Sequence, residues 1–276
     1  LLYLNDQNDY NIKVIALARN KLKAENRFRN ELSRSDFELL IQDVCLPINL
    51  ESNIDVIIHA ASQASPKFYG SDPVGTLNAN VIGTNNLLQL ALAKKTETFL
   101  FFSTSEVYGT VDSSKIPTSE TDYGYIDPLN VRSCYAESKR LGETMCISWM
   151  HQFGINVKIV RPFHTYGPGM ELNDGRVYAD FISDIVNKKD ILMKSDGLAM
   201  RAFCYLSDAT AGFFTVLLSG KSGEAYNIGK ADGEISIIDL AEKLTALFPE
   251  RNLKVQKVTT NNSGYIKSAV LRNCPD

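Results

Sequence analysis

Two short stretches carry residues that can do chemistry together. FFSTSEVYGT (residues 101–110) is an apolar run that breaks into Thr104, Ser105 and Glu106, two hydroxyls and a carboxylate. SCYAESKRLGE (residues 133–143) offers Tyr135 and Lys139 four residues apart. On a helix, i and i+4 share a face, so the ammonium stands beside the phenol. A nearby cation stabilises phenolate and draws a phenol pKa down from about 10 toward neutrality. A tyrosine so tuned takes a proton from an alcohol or sugar hydroxyl while hydride leaves the same carbon, and the lysine is placed to bond a cofactor ribose. With 12 tyrosines, about one Tyr-x-x-x-Lys spacing arises by chance, and most such pairs are a solvated helix face. The hydroxyl cluster at a strand's end, about thirty residues upstream, gives it weight.

The elements that must position these residues follow from hydrophobic patterning. Short β-branched and apolar runs at residues 12–18, 56–59, 98–103 and 157–160 read as strands, and residues 74–94, 133–153, 177–188 and 237–247 read as helices. Leu77, Val81, Thr84, Leu87, Leu88 and Ala91 repeat at helical spacing, a stripe expected to face a sheet. Strands that alternate with helices of this length predict βαβ units and a parallel, doubly wound α/β sheet. The strands are nearly continuous apolar runs, as a sheet covered on both faces requires. In such a sheet the ligand sits outside the carboxyl ends of the strands. Ala60, Ala61 and Ser62 follow one strand there, Thr104, Ser105 and Glu106 the next, and Pro162, Phe163 and His164 the one after, so distant segments converge on one crevice.

Composition narrows the function class. The chain has 276 residues, 44% of them hydrophobic and 22% charged, with a net charge of -3. That is an ordinary globular balance, and no basic run invites nucleic acid. No apolar stretch approaches the roughly 20 residues of a membrane span. Five scattered cysteines without CxxC spacing favour a reducing cytoplasm over a disulfide framework or zinc site. Three histidines, never at ligand spacing, give no expectation of a metal.

The stretch from His59 to about Leu244 resembles extended short-chain dehydrogenase/reductases of the NAD-dependent nucleotide-sugar epimerase/dehydratase family. The pieces that carry the resemblance are HAASQASPKFYGSDPVGTLNANVIGTNNLL, STSEVYG, RSCYAESKRLGE, RPFHTYGPGMELNDGRV and RAFCYLSD, in the family's order. Within it, ASPKFYGSDPV, RSCYAESKR and DGRV are most similar to UDP-glucuronic acid decarboxylases. The resemblance implies a Rossmann-type domain over residues 1–162 and a smaller C-terminal substrate-binding lobe over 163–276, with part of 203–229 returning to the first domain. It implies that Thr104 bonds the sugar 4-hydroxyl, that Tyr135 is the base, and that Lys139 holds the nicotinamide ribose. Asp43 and Val44 match the adenine contact, and Ala60 and Ala61 line the dinucleotide, with Ser62, Ser103 and Pro162 beside them. Arg201 matches an arginine that meets the diphosphate or the sugar's acid end, and Arg176 lies near the nucleotide, with His164 in the substrate set. A cytoplasmic homodimer through a four-helix contact of residues 74–94 and 133–153 follows by the same analogy.

The sequence departs from that pattern in four places. The first glycine is Gly70, so the family's glycine turn, which lets a backbone approach the pyrophosphate, is absent from the residues before it. The expectation is that a segment carrying that turn precedes Leu1. Arg19 stands where an acidic residue usually receives the adenosine ribose; an arginine there accommodates a 2'-phosphate, stacks on adenine or faces solvent, so NAD is the expected cofactor with NADP kept open. His164 replaces a common Asn, and Gly169 replaces an arginine many of the decarboxylases carry.

The reaction branches after C4 oxidation. Hexose epimerases of the family commonly carry no acid after the strand, so Glu106 argues against them. The dehydratases of the deoxythymidine type pair Asp with Glu, and Ser105 replaces that Asp here, leaving no obvious proton donor for departing water. Thr-Ser-Glu also occurs in dehydratases of the GDP-mannose type. The expectation is UDP-glucuronate decarboxylation, with Ser105 and Arg201 receiving the carboxylate; a 4,6-dehydratase or 4-epimerase of surface-polysaccharide synthesis is the alternative. A non-catalytic dinucleotide-binding homologue is opposed by the intact Thr104, Tyr135 and Lys139.

Overall fold

The computed structural model describes residues 1–8, 10–257 and 270–276. Helix α1 (Leu2–Asn8) leads into β1 (Val14–Ala18), followed by α2 (Lys21–Arg27) and β2 (Phe37–Ile41). Next come β3 (Val56–His59), α3 (Lys67–Ser71), the long α4 (Pro73–Lys94) and β4 (Thr98–Phe102). A single 3-10 turn at Ser105–Tyr108 and a long loop lead to α5 (Ser133–Phe153) and β5 (Val157–Pro162). The rest comprises β6 (His164–Tyr166), α6 (Val177–Val186), β7 (Ile191–Met193), β8 (Met200–Tyr205), α7 (Leu206–Ser219) and β9 (Ala225–Ile228). It ends with β10 (Glu234–Ser236), α8 (Ile237–Ala246), β11 (Val255–Lys257) and β12 (Arg272–Asn273). Residues 258–269 of the expected C-terminal lobe lie outside the described residues.

β3, β4, β5 and β9 form one parallel sheet in that order. β1 and β2 form a separate parallel ladder, and no ladder joins β1 to β3 among the described residues. Side chains do join them: Leu17 and Leu40 pack on the cluster that holds Val44, Ile57, Leu87 and Phe99. On the far side α7 returns to the sheet, burying Ala209, Val216 and Leu217 against Val160 and Ile228. The remaining strands make two smaller assemblies, β10-β8-β12 with β6 also on β8, and β11 beside β7. Their core is Phe181, Ile185, Ile191, Met193 and Ala241. The parallel α/β architecture expected from the patterning is therefore present.

Helices α4 and α5 carry the site, and local chemistry fixes their ends. Asp72 caps α4 by accepting from the Gly75 N–H at 3.0 Å, with Pro73 in the first turn, where its missing N–H costs nothing. Gly154 closes α5 in the left-handed region at φ 71°. The helix expected over residues 177–188 stops at Val186, because Lys188 takes a left-handed φ of 54°. The stripe on α4 is shifted from expectation: Leu87, Leu88 and Ala91 are buried, but Leu77 is exposed. Thr76, Ala79, Asn80 and Gly83 are buried instead, small or polar residues on a helix that lies along α5. Asn80 donates to Ser138 Oγ at 2.8 Å across that contact, and His59 at the end of β3 meets Thr84 Oγ1 at 2.9 Å.

α5 is pinned to the sheet at two points. A Cβ on Gly142 would stand 2.5 Å from the Phe101 ring, so only glycine permits this approach of helix to strand. Beside it, Glu143 receives Arg161 of β5 in a buried bidentate pair, 2.9 Å from Nε and 2.7 Å from Nη2. Arg161 is 2% exposed, and its other donors reach the Tyr108 and Tyr123 hydroxyls and the Glu120 carbonyl at 2.8–3.0 Å. Removing one partner of such a pair strands a buried charge. Glu143→Ala should cost about 3–5 kcal/mol in urea denaturation, whereas Glu143→Leu with Arg161→Met should recover most of that loss. A single-mutant loss below about 1 kcal/mol would place the pair in the energetic class of surface bridges instead.

Candidate active site

A cavity of about 370 Å³ opens at the carboxyl ends of β3, β4 and β5. Each strand delivers its own lining there: Ala60 and Ser62 after β3, residues 103–106 after β4, and residues 162–164 at the end of β5. Tyr135 and Lys139 enter from α5, Arg176 from the start of α6, and Arg201 with Phe203 from β8. Thr104 initiates the 3-10 turn, its hydroxyl accepting from the Glu106 N–H at 3.2 Å and also reaching the Tyr135 phenol. The hydroxyls, carboxylate, phenol and ammonium singled out by spacing thus share one wall.

Burial dominates their electrostatics. Tyr135 is pushed well above the ordinary phenol range by burial first and the Glu106 charge second; Thr104 and Arg176 oppose this. Lys139 is pulled down to about 7 by burial, with Cys146 and Glu143 opposing. Its Nζ donates to the Phe102 carbonyl at 2.6 Å and lies 5.0 Å from the Phe101 ring centre. The charges that act on the phenol are therefore those of Glu106 and Arg176. Tyr69 of α3 stacks on Tyr135 with ring centres 5.0 Å apart and planes at 15°.

Also on the lining, His164 sits edge-on to Phe203, and its buried Nδ1 has no partner among the described residues. Burial, then the Arg201 and Arg176 charges, push it down to about 3, so it is a neutral imidazole at ordinary pH with one donor and one acceptor. Arg176 pairs with Asp174. Arg201 donates to the Met200, Val270 and Leu271 carbonyls. Ser105, expected beside Arg201, accepts from Asn273 of β12 at 3.1 Å.

Four expected cofactor residues lie away from this cavity's lining. Arg19 is exposed at the end of β1 and donates to Gln63 at 3.3 Å. Asp43 is held below the usual carboxylate range by the Cys45 N–H and, more weakly, by Arg19. Val44 is a core side chain against Gly83, and Ala61 packs on the same core. Spacing did not single out Arg132, Tyr69 or Asn273, which also line the cavity. Arg132 stands three residues before Tyr135, the same-face spacing that could have found it; Asn273 reaches the site only through tertiary pairing of β12 with β8.

This lining holds polar groups that suit one end of a dinucleotide. Among the described residues Ser62 Oγ is buried without a partner, and Lys139 lines the same cavity. Residues 1–69, however, contain no glycine with which to approach a pyrophosphate.

A model of the NAD dependent epimerase/dehydratase family matches residues 2–229. UDP-glucuronic acid decarboxylase 6 of Arabidopsis thaliana is 37% identical over 240 residues, which cover 87% of this chain and 68% of that protein. UDP-glucuronic acid decarboxylase 3 of the same plant is 40% identical over 227 residues, 82% of this chain and 64% of that one. Among solved structures, dTDP-glucose 4,6-dehydratase from Streptomyces venezuelae with NAD and TYD bound superposes with a TM-score of 0.79 at 22% identity, covering 100% of this chain and 82% of that one. UDP-glucuronic acid 4-epimerase from Bacillus cereus, in complex with UDP-glucuronic acid and NAD, gives 0.80 at 22%, covering 100% and 85%. At that identity the two structures establish the shared fold.

The buried ammonium has a measurable consequence. Burial holds Lys139 down to about 7 in the folded chain, against about 10.4 for a lysine in water, so between those pH values the unfolded chain binds the extra proton. Stability therefore rises with pH across that window, and the penalty is fully present below it. Lys139→Met should gain stability relative to the parent at pH 6, by an amount that shrinks toward pH 10, in paired urea denaturation series.

Proposed function

This chain belongs to the NAD dependent epimerase/dehydratase family, and from that premise we propose that it decarboxylates a UDP-linked glucuronic acid with Tyr135 as the base. The observation that carries the reading is the wall formed by Thr104, Ser105, Glu106, Tyr135 and Lys139 in one cavity, in a chain whose curated relatives bear that activity in their names. When bound, NAD would supply reversible oxidation at the sugar's C4. Lys139, Ser62 and Pro162 hold its nicotinamide end, and Arg19, Asp43, Val44, Ala60, Ala61 and Ser103 belong to its remaining contacts. Thr104 orients the 4-hydroxyl and Tyr135 takes its proton. The C5 carboxylate is then β to a ketone, so the C–C bond electrons flow toward the carbonyl oxygen as CO2 leaves, and the resulting enolate takes a proton from water at C5 to restore the ketone. Tyr135 keeps the proton at its phenol oxygen until the ketone is reduced again. Arg176, His164 and Arg201 are the substrate set, with His164 able to donate from one ring nitrogen and accept at the other.

The dehydratase alternative is disfavoured by the surroundings of Glu106. Elimination of water asks for an acid and a base, yet Ser105 holds the neighbouring position and Arg132 occupies the Glu106 carboxylate at 3.1 Å. The reading extends to a cytoplasmic homodimer through α4 and α5. Val74, Leu77, Ile82, Leu141 and Ile147 are exposed apolar side chains on these helices, and all five cysteines are free thiols. No helix among the described residues is long and apolar enough to cross a membrane.

Cofactor-loaded full-length protein given UDP-glucuronate should release CO2 and a UDP-pentose. A 4-keto or C4-inverted nucleotide hexose as the product would move the assignment to a dehydratase or epimerase. Tyr135→Phe should lower turnover by about 10²–10⁴-fold with NAD affinity nearly unchanged; an unaffected rate would reject the tyrosine base. Sedimentation of the same preparation should give twice the chain mass, and Leu141→Glu should halve it.

A further inference from the structure

One side chain at the mouth of the cavity joins the two groups that decide the chemistry. Arg132 lies one residue ahead of α5, where Asn130 Oδ1 accepts its backbone N–H at 3.0 Å and Asp127 O accepts from Ser133 Oγ at 2.5 Å. Its guanidinium makes two contacts at once. Nη2 is 3.1 Å from Glu106 Oε1, with side-chain exposures of 17% and 29%. The same group lies 5.2 Å from the centre of the Tyr69 ring, within cation–π range. Tyr69 is fixed from behind by its hydroxyl donating to Ala64 O at 3.0 Å, and it stacks on Tyr135.

We propose that Arg132 is a positioning residue for the reaction: it clamps the Glu106 carboxylate and braces Tyr69 against Tyr135, so that the base works beside a neutralised carboxylate. The proposal rests on the tyrosine-base reading and adds a second residue to it. Its electrostatic content follows from what faces the phenol. From the 3-10 turn come the Glu106 charge, which opposes phenolate, and the Thr104 hydroxyl, which favours it. From ahead of α6 comes Arg176, which also favours it. Tyr69 of α3 presents an aromatic face, Lys139 and Cys134 lie on α5 itself, and Arg132 stands one residue ahead of it. Among these, Glu106 is the negative charge, and Arg132 is its ion-pair partner. Without Arg132 the carboxylate acts on Tyr135 unscreened and is free to leave its place.

Four variants in the cofactor-loaded full chain test this: Arg132→Met, Arg132→Lys, Glu106→Gln, and the double Arg132→Met/Glu106→Gln. One readout is the acid limb of the pH–kcat profile. The second needs no substrate: Tyr135 ionisation by NMR with isotopically labelled tyrosine, assigned by the loss of its signal in Tyr135→Phe. Arg132→Met should move both midpoints up by about one pH unit or more, Glu106→Gln should move them down, and the double variant should return close to the parent. Arg132→Lys, which keeps the charge but not the fork, should hold the midpoint while lowering kcat more than it raises KM. Additive shifts in the double variant, or an unmoved Tyr135 signal in both single variants, overturn the proposal. Should Arg132→Met not fold, an unmoved signal in Glu106→Gln alone overturns it. Failure of the decarboxylase reading shows separately, as absent turnover in the parent with the tyrosine titrations still ordered as above.

Discussion

The buried pair of Glu143 and Arg161 is the constraint on which the site's geometry depends. Ionised groups removed from water cost several kcal/mol each, which mutual attraction repays only when every donor is matched. Here the match is nearly complete: the guanidinium meets two carboxylate oxygens, two phenols and a carbonyl, and lies 5.0 and 5.3 Å from the Tyr108 and Tyr123 ring centres. Glu143 also takes the Ser103 hydroxyl at the end of β4. A helix and two strand ends are thereby held in one register. Because Lys139 is one turn and Tyr135 two turns before Glu143, fixing that glutamate fixes both. Gly142 adds the close approach, and Asn80 with Ser138 adds the sideways tie to α4.

The same rigidity explains why the site can hold mismatched charges. Lys139 sits folded near neutrality and Tyr135 far above its ordinary range, both because burial disfavours their charged forms. Neither shift alone suits a base at neutral pH. The lysine lines the cavity and spends one proton on the Phe102 carbonyl, so an anionic or hydroxyl-rich ligand bound beside it would favour the ammonium. The site is thus organised for charge that a ligand completes, and buried groups of this kind are held in place by the scaffold rather than by each other.

How far the sequence foretells this depends on the range of each interaction. Helix α5 is legible to its ends, since its apolar spacing runs unbroken to Gly154, and α4 is legible through Asp72, Pro73 and its long periodic run. β2 is not, because FELLI places Glu38 within a short run that has neither clear alternation nor helical period. The short strands β7, β10, β11 and β12, two or three residues each, carry no pattern that could be read. In the site, Thr104, Tyr135 and Lys139 follow from spacing because strand end and helix face are local facts. Val44 did not follow in the same way: its position matches a cofactor contact, while its side chain packs into the core under α4. Asn273 and Arg201 meet through β12 and β8, seventy-odd residues apart in the chain, a pairing no local pattern encodes.

Two classes of residue therefore divide the cavity. Tyr135 and Lys139 come from α5, locked by the Glu143–Arg161 pair, and Thr104 from the end of β4, where the 3-10 turn begins. The groups beside them come from a 3-10 turn, the approach to α5, and strands of the smaller assembly: Glu106 with Arg132, Ser105 with Asn273, and His164, whose Nδ1 has no partner among the described residues. A fold does not by itself name a reaction. Within one scaffold the common first step can stay fixed while the second is altered by exchanging partners on the loops. On that logic the identity of the residue paired with Glu106 matters as much as Glu106 itself. A free carboxylate is available as a base, and one held by a guanidinium is a fixed negative charge.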